Sequence, residues 1–228
     1  MKALLSTAKR LQLTHDLTEA ETKANEVKVR LHYASLNPTD IALANGDYDL
    51  FLRLYGAKSP VRTGLEFSGT VMQDSQCYKK GDRIFGYTHL MKGPKTHQQT
   101  LSINQEYVAL MPSELDFQQA AAAPIGLQTS YVAWQQANLK PGDKVLINGA
   151  SGGVGLYAIQ IAKSMQAVVT AVAGTKAQSL MQQLGADQVI DYKRTNIANL
   201  TQKFDAIFDL SCKKKLKTIR LNCCSKSL

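Results

Sequence analysis

The residues best placed to do chemistry lie in one short run, Asn148-Gly149-Ala150-Ser151-Gly152-Gly153-Val154-Gly155. The apolar Val145-Leu146-Ile147 leads into it as a strand. Residues 156–163 follow with apolar side chains at helical spacing. A strand, a glycine-rich turn and a helix in that order describe the phosphate site of a dinucleotide-binding unit. Gly152 would let the backbone approach a pyrophosphate, and Gly155 would let the helix pack closely on the strand. The helix N-terminus would offer its unpaired N–H groups to the anion. Ala150 stands where the first glycine usually falls, so the fingerprint reads A-x-G-x-x-G. By itself such a match describes a tight turn as readily as a phosphate site.

The segments after it decide between the two. Ala167-Val168-Val169-Thr170-Ala171-Val172-Ala173 reads as a second buried strand and residues 176–184 as a second helix. Gly185-Ala186-Asp187 closes that helix, and Gln188-Val189-Ile190-Asp191 is a short third strand. This alternation predicts a parallel sheet. The end of the second strand ordinarily carries an acid for the ribose 2′-hydroxyl of NAD. Here it reads Ala173-Gly174-Thr175-Lys176, and a hydroxyl with a cation suits the 2′-phosphate of NADP(H). A solvated lysine in the first turn of a helix is the other reading of Lys176.

Ahead of this unit the chain is β-rich. Residues 27–34 alternate with period two, residues 67–72 and 105–110 are further strands, and Lys80-Gly81-Asp82 is a turn feeding another. Many short strands with turns between them predict a partly closed barrel. Asp116-x-x-Gln119 has the form of a capping box, and a helical connection runs on past Pro124. The expected organisation is a β-rich domain over residues 1–120, a parallel-sheet domain over 121–210 and a basic tail over 211–228.

The formal charge is +9 over 228 residues. Six Lys or Arg fall between residues 213 and 226 with no acid among them, which leaves +3 on the rest. No aromatics interleave with that cluster, so a nucleic-acid platform is unsupported. No apolar run approaches a membrane span, and the absence of a signal peptide points to the cytoplasm. The cysteines form no CxxC pair and read as reduced thiols. His15, His32, His89, His97 and Cys77 show no metal-ligand spacing and read as surface or loop residues.

Five motifs occur in order: Asn37-Pro38-Thr39-Asp40, Gly64-x-Glu66-Phe67-x-Gly69, Lys80-Gly81-Asp82-Arg83-x-Phe85-Gly86, Pro124-x-Gly126-Leu127-x-Thr129 and Ala150-Ser151-Gly152-Gly153-Val154-Gly155. Over residues 1 to about 210 they resemble the medium-chain dehydrogenase/reductase superfamily, in its zinc-independent quinone oxidoreductase-like branch. The resemblance implies a GroES-like barrel domain followed by a Rossmann doubly wound sheet. It also implies that the positions of the zinc members' Cys and His are taken by Asn37 or its neighbours and by Leu65. The reaction implied is hydride transfer from NADPH to a quinone or to the β-carbon of an enone, with the protein supplying orientation and a proton.

Residue by residue, the resemblance places Thr129 at the nicotinamide end and Ser151, Gly152, Gly153 and Val154 on the pyrophosphate. Thr175 and Lys176 fall on the 2′-phosphate and Tyr192 beside the adenosine ribose. Asn37, Asp40 and Tyr48 line the substrate side. Tyr48 is suited to proton donation, or alternatively to closing the barrel mouth as an aromatic. Asp40 reads as a helix cap.

Past Leu210 the likeness ends, and relatives continue for roughly another hundred residues of a six-stranded sheet. The expectation is a frame-shifted or prematurely ended tail, disordered or locally helical, beside a strand left as an open edge. A genuine short form is the alternative. The resemblance implies that full-length relatives form homodimers, commonly through the last strands, so a dimer is not expected of this chain. The two functional readings are an NADPH-dependent reductase and an inactive or nucleotide-binding-only fragment.

Overall fold

The computed structural model describes residues 1–7, 10–48, 50, 54, 61–91, 93–211 and 223–227. They divide into two compact units, Met1–Pro124 and Ile125–Leu228.

In the first unit, β1 (Ala3–Thr7), β2 (Arg10–Thr14) and β4 (Val61–Arg62) form a small antiparallel sheet with β1 central. The larger sheet runs β7-β3-β5-β6-β8, from β3 (Glu26–Ala34), β5 (Glu66–Val71), β6 (Arg83–Tyr87), β7 (Thr100–Asn104) and β8 (Val108–Leu110). This is the half-barrel of a GroES-like domain. Its core is Val27, Val29, Phe67, Val71, Ile84, Leu101 and Ile103. In β3 the two valines are the core members and Lys28 and Arg30 flank them, which is the period-two pattern of the sequence made physical.

One expected strand is shorter than its sequence suggests. Residues 105–107 form a 3-10 turn, and pairing resumes only at β8. The reason is Gln105, whose buried side chain accepts from Ser75 Oγ at 3.0 Å and from the Cys77 N–H at 2.9 Å. Helix α1 (Pro38–Asn45) starts on a proline and stops at Gly46, whose φ of 82° a side chain would strain. Helix α2 (Phe117–Ala121) begins at the Asp116/Gln119 capping box.

The second unit is a parallel sheet in the order β11-β10-β9-β12-β13. Its strands are β9 (Lys144–Asn148), β10 (Val168–Ala173), β11 (Gln188–Asp191), β12 (Phe204–Asp209) and β13 (Cys223–Ser227). This is the doubly wound order of a Rossmann fold, with the chain reversing its winding between β9 and β12. Helix α3 (Pro124–Ala137) leads in, α4 (Gly153–Ser164) links β9 to β10, and α5 (Gln178–Gln183) links β10 to β11.

Both faces of the sheet are covered. Val145 and Ile147 join Trp134, Ala158, Ile159 and Phe208 in one cluster, while Leu146 joins Val172, Phe204 and Ile207 in the other. Trp134 is fully buried, donates its indole N–H to the Ala158 carbonyl at 3.0 Å, and meets Phe208 edge to face at 5.3 Å. At the far end of α4, Lys163 holds both oxygens of Asp187 at 2.9 Å.

The tail differs from its expectation. Residues 223–227 are a strand, parallel to β12, so β12 is paired on both sides. Main-chain N–H and C=O groups along a strand edge pair with any extended segment, whatever its side chains, so a basic sequence does not forbid it. The rest of that stretch, 212–222 and 228, lies outside the described residues.

One buried cation organises the loop after β6. Lys95 is 6% exposed, and its Nζ donates to the carbonyls of Leu90 (2.7 Å), Gly93 (3.0 Å) and His89 (3.3 Å). Burial, with the nearby charge of Arg62, pushes its ammonium down to about 8, against the pull of Asp40. An unfolded chain keeps that proton to about 10.5, so between those pH values the unfolded state binds more protons and stability rises with pH. Urea unfolding of the protein and of Lys95→Met should show the wild type gaining about 3 kcal/mol on the variant from pH 7 to 10.5. A pH-independent difference would mean the ammonium is not so confined.

Candidate functional site

In the second unit the glycines divide by what a side chain would strike. A Cβ on Gly155 would stand 2.5 Å from the Ala150 carbonyl oxygen and 2.7 Å from Ala150 Cα, so α4 can lie against the end of β9 only with glycine there. At Gly149, φ is 83° and a Cβ would meet Leu210 at 3.2 Å, so this residue makes the turn that Ala150 does not. The Asn-Gly pair at 148–149 is a turn signal that the A-x-G-x-x-G reading passed over.

Gly152 and Gly153 are different. A Cβ on the first would meet only the Gly149 carbonyl, at 3.4 Å, and one on the second would meet nothing within 4 Å. Ser151, Gly152 and Gly153 are exposed and Val154 half-buried. The first N–H groups of α4 therefore open onto an uncrowded surface, and such groups have no partner within their own helix. This suits an anion, and the residues present fit a dinucleotide pyrophosphate.

Thr129 is exposed on α3, and the next residue fixes where that stretch lies. Ser130 is fully buried, with its Oγ 2.8 Å from the carbonyls of both Gly126 and Val154. A Cβ on Gly126 would press on the Tyr157 ring at 2.8 Å. So α3 is held against the first turn of α4. At the reversal of winding, Asn148 Nδ2 donates to Asp209 Oδ1 at 3.0 Å and Ser211 Oγ at 3.1 Å. No sequence motif marked Asp209 or Ser211.

At the ends of β10 and β11, Thr175, Lys176 and Tyr192 are exposed. The Tyr192 ring covers Gly174, where a Cβ would stand 3.5 Å from it. Thr175 Oγ1 donates to Asp191 Oδ2 at 2.6 Å. That bond, together with the Lys193 backbone N–H, holds the Asp191 carboxyl below the usual carboxylate range, against desolvation. The segment expected as one helix from residue 176 starts instead as a 3-10 turn at Thr175–Ala177.

In the first unit, Asn37 caps α1 from the outside. Asp40 takes its backbone N–H at 2.8 Å and that of Gly64 at 2.7 Å, which accounts for this 2%-exposed acid as a structural brace, as its cap-like position implied. The Asn37 amide gives Nδ2–H bonds to Glu66 Oε2 at 2.6 Å and Ser35 Oγ at 3.0 Å, and Ser35 Oγ donates to the same Glu66 oxygen. Glu66 is 2% exposed.

His97, read from sequence only as a surface or loop residue, spans Thr63 Oγ1 at 2.8 Å and the Ser35 carbonyl at 2.9 Å. A carbonyl only accepts, so His97 carries its hydrogen on Nε2. Tyr48 lies half-buried in the turn beyond Gly46.

Among the described residues no three His, Cys, Asp or Glu side chains gather where one metal ion could reach them. The amide N–H groups of Asn37 and the buried, apolar Leu65 are not ligands, so this donor set does not fit zinc. No helix among the described residues is long and apolar enough to cross a membrane.

Comparison with known proteins agrees with this architecture. Residues 23–141 match the alcohol dehydrogenase GroES-like domain family, and residues 153–227 match the zinc-binding dehydrogenase family. The second match runs into the stretch that the sequence reading set apart as a tail. The 2-methylene-furan-3-one reductase of Solanum lycopersicum is 31% identical over 209 residues, covering 87% of this chain and 53% of that protein. The chloroplastic NADPH-dependent alkenal/one oxidoreductase of Arabidopsis thaliana is 29% identical over 222 residues, covering 92% and 56%. The solved quinone oxidoreductase of Coxiella burnetii superposes with a TM-score of 0.83 at 30% identity, covering 92% of this chain and 68% of that one.

The chain belongs to the medium-chain dehydrogenase/reductase superfamily, and within it to the quinone oxidoreductase-like proteins. It spans about half the length of the curated relatives it matches.

Gly155→Ala forces the Ala150 backbone to move and should cost about 1–3 kcal/mol in urea unfolding. Gly153→Ala, with open space around its Cβ, should change stability by less than about 0.5 kcal/mol. Equal effects would show that α4 does not lie against β9 as described.

Proposed function

We propose that this chain binds NADP(H) through its second unit and that the whole protein passes hydride to a quinone or an α,β-unsaturated carbonyl without zinc. The observation that carries the reading is the open first turn of α4 beside a β10 end that lacks an acid and offers Lys176 instead. The bound nicotinamide supplies the hydride.

Ser151, Gly153 and Val154 hold the pyrophosphate with main-chain N–H groups, and the helix dipole favours its charge. Gly152, whose own N–H goes to the Gly149 carbonyl at 3.0 Å, lets the backbone approach it. Thr129 takes the nicotinamide end. Tyr192 borders the adenosine ribose, and Lys176 pairs with the 2′-phosphate. On the acceptor side, Asn37 has committed its amide hydrogens to Glu66 and Ser35. It therefore offers its carbonyl oxygen and orients a hydroxyl rather than polarising a carbonyl.

Reduction of an enone adds hydride at the β-carbon, moves the C=C electron pair, and needs one proton at the α-carbon. The Tyr48 hydroxyl is the group we assign to give it. The relatives' names, a 2-methylene-furan-3-one reductase and an NADPH-dependent alkenal/one oxidoreductase, support an activated C=C acceptor. The exposed, unpaired Cys77 suits a reducing compartment, for which we propose the cytoplasm.

NADPH should quench protein fluorescence at lower concentration than NADH, and Lys176→Ala should lower NADPH affinity about tenfold, the worth of one charge-assisted contact. Equal affinities, or a preference unmoved in Lys176→Ala, would remove the assignment. A chelator should leave both NADPH binding and the rate of NADPH oxidation by an enone unchanged. Loss of either on chelation would show a metal at work, and binding without any oxidation would leave a nucleotide-binding protein only.

A further inference from the structure

The carboxylate that the end of β10 lacks is supplied by the next strand. Asp191 is the last residue of β11 and pairs in register with Ala173, the last of β10. Its side chain is 11% exposed. Oδ2 accepts from Thr175 Oγ1 at 2.6 Å, and Oδ1 accepts from the Lys193 backbone N–H at 2.9 Å. Arg194 Nε approaches Oδ2 only to 3.8 Å, from a side chain 79% exposed. The neighbouring Tyr192 covers Gly174. Asp191 thus stands among the residues assigned to the adenosine end, with its charge only loosely balanced.

The hydroxyl of Thr175 is set by this contact. A carboxylate has no hydrogen to give, so the Thr175 hydrogen points to Asp191 and the oxygen offers a ligand lone pairs only. A ribose 2′-hydroxyl can donate to such an acceptor. A 2′-phosphate is itself an acceptor and an anion, so it gains nothing from Thr175 and is repelled by the carboxylate.

We propose that Asp191, by its own charge and through Thr175, is a specificity-determining residue that limits the preference for NADPH. It favours the 2′-hydroxyl of NADH and opposes the 2′-phosphate that Lys176 attracts. This rests on the nucleotide-binding reading above, and it removes Thr175 from the phosphate contacts that the family resemblance implied.

Dissociation constants of NADPH and NADH, measured by fluorescence titration at one low ionic strength, test it on the full chain. Asp191→Asn keeps the shape, accepts the same hydrogen bond and removes the charge. It should tighten NADPH about three- to tenfold while leaving NADH within about twofold, which also shows that the fold is intact. An unchanged or lowered NADPH preference in Asp191→Asn overturns the inference.

Thr175→Ala decides the matter independently if Asp191→Asn does not fold. Its NADPH:NADH preference should rise above the wild-type value, because the 2′-hydroxyl of NADH loses its acceptor, whereas a fall would mean the hydroxyl serves the phosphate and would overturn the inference. Wild-type protein that binds neither nucleotide overturns the underlying reading as well. Binding of both with an unmoved preference in the variants overturns this inference alone.

Discussion

The second unit depends on one close approach. Helix α4 leaves β9 through a turn so tight that residue 155 has no room for a side chain over Ala150. That contact brings the first turn of α4 to the carboxyl end of the central strand, where the winding of the sheet reverses. The first turn of the helix is then exposed at Gly152 and Gly153, with uncrowded space around both. Buried Ser130, bonded to Val154, holds α3 to the same turn. Trp134, one helical turn further along α3, fixes the helix pair through Ala158 and Phe208.

In the first unit the corresponding constraint is a buried acid. Glu66 lies almost wholly out of water and takes hydrogen bonds from Ser35 and Asn37. Burying a polar side chain is costly unless it is hydrogen-bonded, so these donors are effectively fixed. Ser35 is gripped in turn through its carbonyl by His97, and His97 by Thr63. Asp40 ties the start of α1 to Gly64. A set of ordinary polar residues, Ser35, Asn37, Thr63, Glu66 and His97, is thus linked by hydrogen bonds around one buried acid.

Much of this was legible in the sequence because it is local. Period-two alternation in β3, the Asp116/Gln119 capping box, the A-x-G-x-x-G run and the acid-free end of β10 involve neighbours along the chain. Strand β8 was overestimated because Gln105, which looks compatible with a strand, is drawn off by Ser75 and Cys77 about thirty residues away. The tail was misread where it forms β13, since its pairing with β12 uses main-chain groups that composition does not report.

The sequence by itself determined the class of fold and the strand, glycine-rich turn and helix at its centre, because glycine placement, hydrophobic period and residue type are properties of short segments. Only the tertiary structure decided that Gly149 rather than Ala150 makes the turn and that Asn37 spends its amide hydrogens on Glu66. It also decided that Thr175 gives its hydroxyl hydrogen to Asp191. Each of these depends on which groups from distant segments come within hydrogen-bond or van der Waals reach. That is set by how strands register and helices pack, and the order of residues along the chain does not carry it.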